Sequence, residues 1–237
     1  MPLNICWFTT GRDKEAFELF SGVLSAMDRG LIEGQINLVF SNREEGPYVD
    51  SIRAEAGRRA IPYEVLSSKG FVFPRQREEF DRLVKGRIER YPFDLIFLAG
   101  YMLILSSVLF DPYLVLNLHP SLPGTHKGKW EDVVAEVVKR REKEHGAMVH
   151  IVTESLDEGP PITFARVNLE EVYSRAKVDV SGENLMMLVR QKEFSIESPL
   201  IIKTLSLLSK GEIEIRGREV FYRGERAESG VDLTPLL

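Results

Sequence analysis

Short apolar runs alternate with amphipathic stretches through the first half of the chain. Leu3 to Phe8 reads as a buried strand that ends in Thr9-Thr10-Gly11. Asp13 then stands where a helix cap is needed, because Phe17, Phe20, Val23, Leu24 and Met27 recur at helical spacing behind it. The alternation continues with a strand over Ile36 to Phe40, a turn at Ser41-Asn42-Arg43, a helix over Val49 to Arg59 and a short strand over Pro62 to Leu66. Gln76 to Arg90 is a charged amphipathic helix carrying Phe80, Leu83, Val84 and Ile88, and Phe93 to Ala99, apolar apart from Asp94, is a run of the kind buried on both faces. Strands separated by helices predict a parallel sheet covered on both sides, with right-handed crossovers. Ligands bind such sheets at the carboxyl ends of the strands, which places the active face at Thr9–Arg12, Ser41–Arg43 and Ala99–Met102.

The second half has a different texture. Leu114 to Leu118 is a strand that runs into Asn117-Leu118-His119-Pro120-Ser121-Leu122-Pro123-Gly124. An exposed helix over Trp130 to Lys143 follows, then strands over Ala147 to Thr153 and Pro161 to Val167. Asn184 to Lys192 and Ser198 to Ser209 read as two helices, and the segments on either side of Gly217 read as a hairpin. The expected architecture is therefore α/β and Rossmann-like. It has a mostly parallel central sheet with helices on both faces and a C-terminal helix plus β-hairpin, in one domain spanning 1–237.

Bulk properties narrow the function. Hydrophobic residues make up 43% and charged residues 28% of 237 positions, enough to bury a core. A formal net charge of -5 disfavours a nucleic-acid partner. The single cysteine, Cys6, excludes an internal disulfide and suits a reducing compartment. The N-terminal apolar run is too short for a signal peptide, and no stretch nears the ~18 apolar residues of a membrane span. A cytoplasmic location without membrane contact is expected.

Asn117 and His119 point to the same side of an extended chain. An amide and an imidazole aimed into one cleft suit a carbonyl whose oxygen becomes negative; the same residues could also simply satisfy turn backbone. Asp157 lies in the Gly-Pro loop after the strand that carries His150. A carboxylate brought near His119 would raise the imidazole's pKa and fix its tautomer, although an Asp before Gly159 can equally cap a turn. Cys6 reads as an inert core thiol, Trp130 as a helix anchor, His126 as solvent-facing, and the charges from Lys139 to Glu144 as a solvated helix face. His126, His145 and His150 have no metal-ligand spacing, and no metal is expected.

The segments LAGYMLIL, VLNLHPSLPG and HGAMVHIVTESLDEGPPI, in this order, resemble the phosphoribosylglycinamide formyltransferase family, as do INLVFSNR and the C-terminal RQKEFSIESPLIIKTLSLLSKGEIEIRGREVFYRG. The resemblance spans nearly the whole chain. It implies transfer of the formyl group of 10-formyltetrahydrofolate to the amine of 5'-phosphoribosylglycinamide in purine biosynthesis, by a monomer or homodimer whose partners are the ribonucleotide amine and the folate. It implies Asn117, His119 and Asp157 as the catalytic trio, with His119 held charged by Asp157. It places the folate against Tyr101, Met102, Leu103, Ile104, Leu105, Val152 and Thr153, with Leu103 where many relatives carry arginine. Substrate and phosphate contacts fall on Gly11, Arg12, Asp13, Lys14, Arg43, Pro120 and Glu193, although relatives have Gly-x-Gly-Ser-Asn where this chain has Thr-Gly-Arg-Asp-Lys. Residues 1–113 would form the substrate half and residues 114–237 the catalytic and folate half. Three alternatives stay open: transfer to another amine such as an amino sugar, hydrolysis of the formyl donor, and a silent folate- or nucleotide-binding module. The hydrolase usually carries an extra N-terminal domain, for which this chain has no room.

Overall fold

A computed structural model describes residues 2–175 and 182–237. Its centre is an eight-stranded sheet built from β1 (Leu3–Thr9), β2 (Gly34–Ser41), β3 (Tyr63–Val65), β4 (Leu95–Leu98), β5 (Val115–His119), β6 (Glu144–Ile151), β7 (Pro161–Asn168) and β11 (Val231–Asp232). The spatial order is β11-β7-β6-β5-β4-β1-β2-β3. From β3 through β5 every pairing is parallel, while β6 runs antiparallel to both β5 and β7. The Rossmann-like, mostly parallel sheet expected from the sequence is the observed one.

Period-two alternation in the buried strands decides which layer each side chain enters. Ile5 and Trp7 face α1 (Lys14–Asp28), α2 (Pro47–Arg58) and the long C-terminal helix α7 (Gly182–Ser209), whereas Cys6 and Phe8 face α3 (Arg77–Ile88) and α4 (Ser107–Phe110). Trp7 stacks on Phe97 at 5.3 Å in the first layer, and Phe8 meets Phe40 at 4.7 Å in the second. A third cluster joins Val133, Val134 and Val137 of α5 (Trp130–Arg140) to Val167, Tyr173 of α6 (Glu170–Arg175), and Val189 of α7. The helix after Trp130 thus buries one face, which its valines at helical spacing explain. The hairpin is β8 (Ile213–Arg216) with β9 (Glu219–Tyr222), and β10 (Glu225–Arg226) pairs to β9.

Two expectations change. The C-terminal segments are not two helices: α7 continues through Pro199. Proline removes one backbone donor, but Leu200, Ile201 and Leu205 are buried just beyond it, so tertiary packing carries the helix across. The strand that holds His150 also begins earlier than expected, at Glu144, and ends at Ile151, leaving Val152 and Thr153 in the loop that follows.

Candidate active site

One threonine ties the strand ends of the active face together. Thr10 Oγ1 donates to Asn42 Oδ1 at 2.7 Å and accepts the Met102 N–H at 2.9 Å, and the Thr10 N–H donates to the Gly100 carbonyl at 3.0 Å. These bonds join the ends of β1, β2 and β4 and set the mouth of a cleft of about 440 Å³. Gly11 has φ +58°, and a Cβ there would stand 3.0 Å from Val49 of α2, so the first turn needs glycine for both conformation and space.

The candidate catalytic residues lie where the sheet changes direction. Asn117 and His119 share one face of β5, and antiparallel pairing sets His150 of β6 opposite Asn117. Past Ile151 the chain folds back over that face. Gly159 permits this, because any Cβ on it would run into the Ile151 carbonyl. The loop brings Asp157 Oδ2 to 3.6 Å from His119 Nδ1 and Oδ1 to 3.7 Å from His150 Nε2. Asp157 itself has φ 54°, in the left-handed region that Asp and Asn tolerate better than most side chains.

Hydrogen bonds fix the tautomers. His150 Nδ1–H donates to the Ile151 carbonyl at 3.0 Å, so its Nε2 accepts from Asn117 Nδ2 at 3.1 Å. The Asn117 amide has two N–H donors, and this bond uses one, which leaves the other for a substrate oxygen. His119 Nε2–H donates to the His126 carbonyl at 2.9 Å, which turns Nδ1 toward Asp157. The Gly128 N–H donates to Asp157 Oδ2 at 2.9 Å.

Burial pulls His119 below the ordinary imidazole value, and Asp157 only partly offsets it. His119 is 2% exposed, so it is neutral at neutral pH rather than held charged as expected; desolvation outweighs the nearby carboxylate. Burial pushes the other way on Asp157, but the adjoining His150 and His119 rings and the Gly128 N–H hold its carboxyl below the ordinary range. Asp157 is therefore an anion between two imidazoles.

The residues expected to contact the folate separate by depth. Met102 and Ile104 are exposed at 39% and 43% and form an apolar wall, with Leu103, Val152 and Thr153 beside them. Tyr101 and Leu105 also line the cleft but are largely buried in the layer beneath, where the Tyr101 ring lies 5.3 Å from Phe8. A flat heterocycle suits such a wall.

The residues expected at the acceptor end disperse more. Arg12, Asp13 and Pro120 line the cleft, but Arg12 is already paired with Asp13 at 3.1 Å and Glu131 at 3.0 Å. Asp13 also caps α1 through the Ala16 N–H. Lys14 is 70% exposed and pairs with Glu18 outside the cleft. Arg43 is exposed beside Gly46, the residue before α2, and makes no ion pair among the described residues. Glu193 is fully buried, does not line the cleft and bonds to Arg190. Arg190 and Glu197 line the cleft instead, with Arg190 packed over the Trp130 ring at 5.3 Å and bonded to Glu15 and Glu197. Sequence reasoning missed His150, Arg190 and Glu197. Only His150 had a signal, its place opposite Asn117 once the strand register is known.

Cys6 is a buried thiol that burial pushes up, matching its reading as inert core. His126 is not solvent-facing: its ring is 10% exposed and bonds Glu142. His145 is 2% exposed with Nε2 unpartnered, and burial, with smaller contributions from His126 and Arg190, lowers it to about 4. Because the folded value lies below the unfolded one near 6.5, stability is lost as pH falls from about 6.5 toward 4. The loss amounts to about 3 kcal/mol at most. Urea melts at pH 7 and pH 5 should show a smaller pH-dependent loss in His145→Gln than in the parent; equal losses would exclude this role.

Strands of a Rossmann-like sheet, an amide donor, an imidazole and a carboxylate in one cleft define an enzyme of acyl-group transfer type. Comparison with known proteins gives the chemistry a group. The formyl transferase family model matches residues 11–185. Phosphoribosylglycinamide formyltransferase of Escherichia coli K12 is 30% identical over 211 residues, covering 86% of this chain and 88% of the relative. Formyltetrahydrofolate deformylase of the same strain is 28% identical over 159 residues and is matched over 52% of its length. Phosphoribosylglycinamide formyltransferase from Coxiella burnetii, solved in complex with CHES, superposes with a TM-score of 0.77 at 26% identity, covering 98% of this chain and 99% of that one. The chain belongs to the formyl transferase family. Among the described residues no helix is long and apolar enough to cross a membrane.

Proposed function

We propose that this protein transfers the formyl group of 10-formyltetrahydrofolate to the amine of 5'-phosphoribosylglycinamide. The observation that carries the reading is the arrangement of Asn117, His119 and Asp157 in one cleft with an apolar wall beside it. The amine nitrogen attacks the formyl carbon and the carbonyl oxygen becomes negative. Asn117 donates its free amide N–H to that oxygen. Asp157 takes the proton that the amine must shed, and His119 Nδ1, facing the same carboxylate, passes it toward the folate nitrogen as the carbon–nitrogen bond there breaks. Two one-proton carriers side by side suit a reaction in which one nitrogen loses a proton and another gains it.

Likeness to the Escherichia coli transferase over most of both chains supports the acceptor. Gly11 and Arg43 border the end of the active face where its phosphate would sit, against α2. For the folate tail, Leu103 offers no cation. An adjoining groove shares Leu105 with the cleft; its lining carries Glu79, Glu154 and the pairs Arg82–Glu78 and Arg218–Asp111, with Arg75 and Arg77, neither of which makes an ion pair among the described residues. Arg77 Nε is buried without a partner there, and we place the tail's carboxylates in this groove.

The test is formyl transfer to phosphoribosylglycinamide, followed by the absorbance of the folate product. Turnover with that amine is expected, and turnover only with a different amine would refute the acceptor. In the same assay Arg77→Ala should raise KM for the folate about fivefold, or roughly 1 kcal/mol, with kcat little changed. An unaltered KM would remove Arg77 from the tail site.

A further inference from the structure

The loop from Ser121 to Lys129 supplies two backbone groups to the catalytic centre: the His126 carbonyl that holds His119 Nε2–H and the Gly128 N–H that holds Asp157 Oδ2. Both groups are peptide units of an irregular loop, so their placement depends on whatever fixes that loop. The His126 N–H donates to Ser121 Oγ at 3.2 Å, and Ser121 Oγ bonds Thr125 Oγ1 at 2.7 Å. On the other side, the His126 ring Nε2–H meets both oxygens of Glu142, at 3.0 and 3.1 Å. Glu142 is outside the cleft and is itself held by the end of α5. Its N–H donates to the Val137 carbonyl at 3.1 Å, and Arg141 closes the helix in a left-handed conformation at φ 49°. Val133, Val134 and Val137 of that helix are packed in the third core cluster, so α5 forms a rigid strut behind the loop.

We propose that Glu142 is a positioning residue for formyl transfer. Through the His126 ring it holds the His126 carbonyl against His119 Nε2–H, and thereby keeps the tautomer whose Nδ1 faces Asp157. The inference rests on the role of His119 in the proposed reaction. Asp157, His150, Glu197 and His145 are the other titratable groups that interact with His119. His126 is faced by Glu142 and by His145, which is uncharged at neutral pH and cannot compete for the carboxylate. Asp157 alone could not fix the tautomer: it stands 3.6 Å from Nδ1, beyond hydrogen-bond distance.

Nitrogen-15 histidine spectra of the full chain read the tautomer directly. In the parent His119, assigned by its loss in His119→Gln, is expected in the Nε2–H form at pH 7.5. In Glu142→Ala the two tautomers should exchange, and kcat should fall about tenfold with the amine's KM within twofold, the effect of loosening a reacting group rather than removing it. Glu142→Gln keeps an acceptor oxygen for His126 and should recover most of kcat. His126→Phe, which keeps bulk without the Nε2–H, should reproduce the alanine variant. Unchanged His119 shifts in both Glu142→Ala and His126→Phe, or kcat within twofold of the parent in both, would overturn the proposal. If the parent forms no product with phosphoribosylglycinamide, the acceptor assignment fails, while the spectra still decide the role of Glu142.

Discussion

Asp157→Asn is expected to lower kcat by about a thousandfold, within the range for removal of a proton carrier, while leaving the KM of either substrate within a few-fold. Asparagine keeps the size of the side chain, can still accept the Gly128 N–H and tolerates the left-handed backbone at this position. What it loses is the negative charge between His119 and His150 and, in the proposed reaction, the site that receives the amine's proton. The sign of a second effect follows. The carboxylate favours charged His119, so removing it lowers the imidazole's titration midpoint further below its present depressed position. A His119 midpoint that rises or stays fixed in Asp157→Asn, measured by NMR titration, would contradict the assigned geometry even if activity fell.

Asn117→Ala is the second large effect. Loss of one donor to a developing oxyanion costs roughly 10²–10³-fold in kcat, with ground-state binding little altered because the negative charge exists only in the transition state. The truncation also leaves His150 Nε2 without its donor. His150→Phe separates the two contributions: it removes the bond that orients Asn117 while keeping the amide, and should cost less than Asn117→Ala. A His150→Phe loss equal to or greater than that of Asn117→Ala would show that His150, not the amide, contacts the reacting group.

Much of this could be read from the chain. The strands β1, β2, β4 and β5 are mainly apolar because both sheet faces are covered, and the cleft opens beside the carboxyl ends of β1, β4 and β5. Asn117, His119 and Asp157 stood out because motif and chemistry agreed. The remaining residues depend on distances that no local pattern encodes. His150 sits opposite Asn117 only because β6 reverses direction, which sequence periodicity does not report. Glu142 looked like one charge of a solvated run, yet the turn at Arg141 sends it inward to His126. Arg190 meets Glu15 from 175 positions away. The break expected between Lys192 and Ser198 is absent, and burial on the sheet carries one helix through that segment and across Pro199. The protonation of His119 also escaped the sequence, since a nearby carboxylate was foreseeable but the depth of burial was not.

Isotope tracing tests the central claim most directly. With 10-formyltetrahydrofolate labelled in the formyl carbon and phosphoribosylglycinamide present, the account predicts that the label appears on the acceptor nitrogen in step with release of the deformylated folate. It also predicts that both signals fall together in Asn117→Ala and Asp157→Asn. Label recovered as formate, at a rate indifferent to the amine, would show a hydrolase and contradict it.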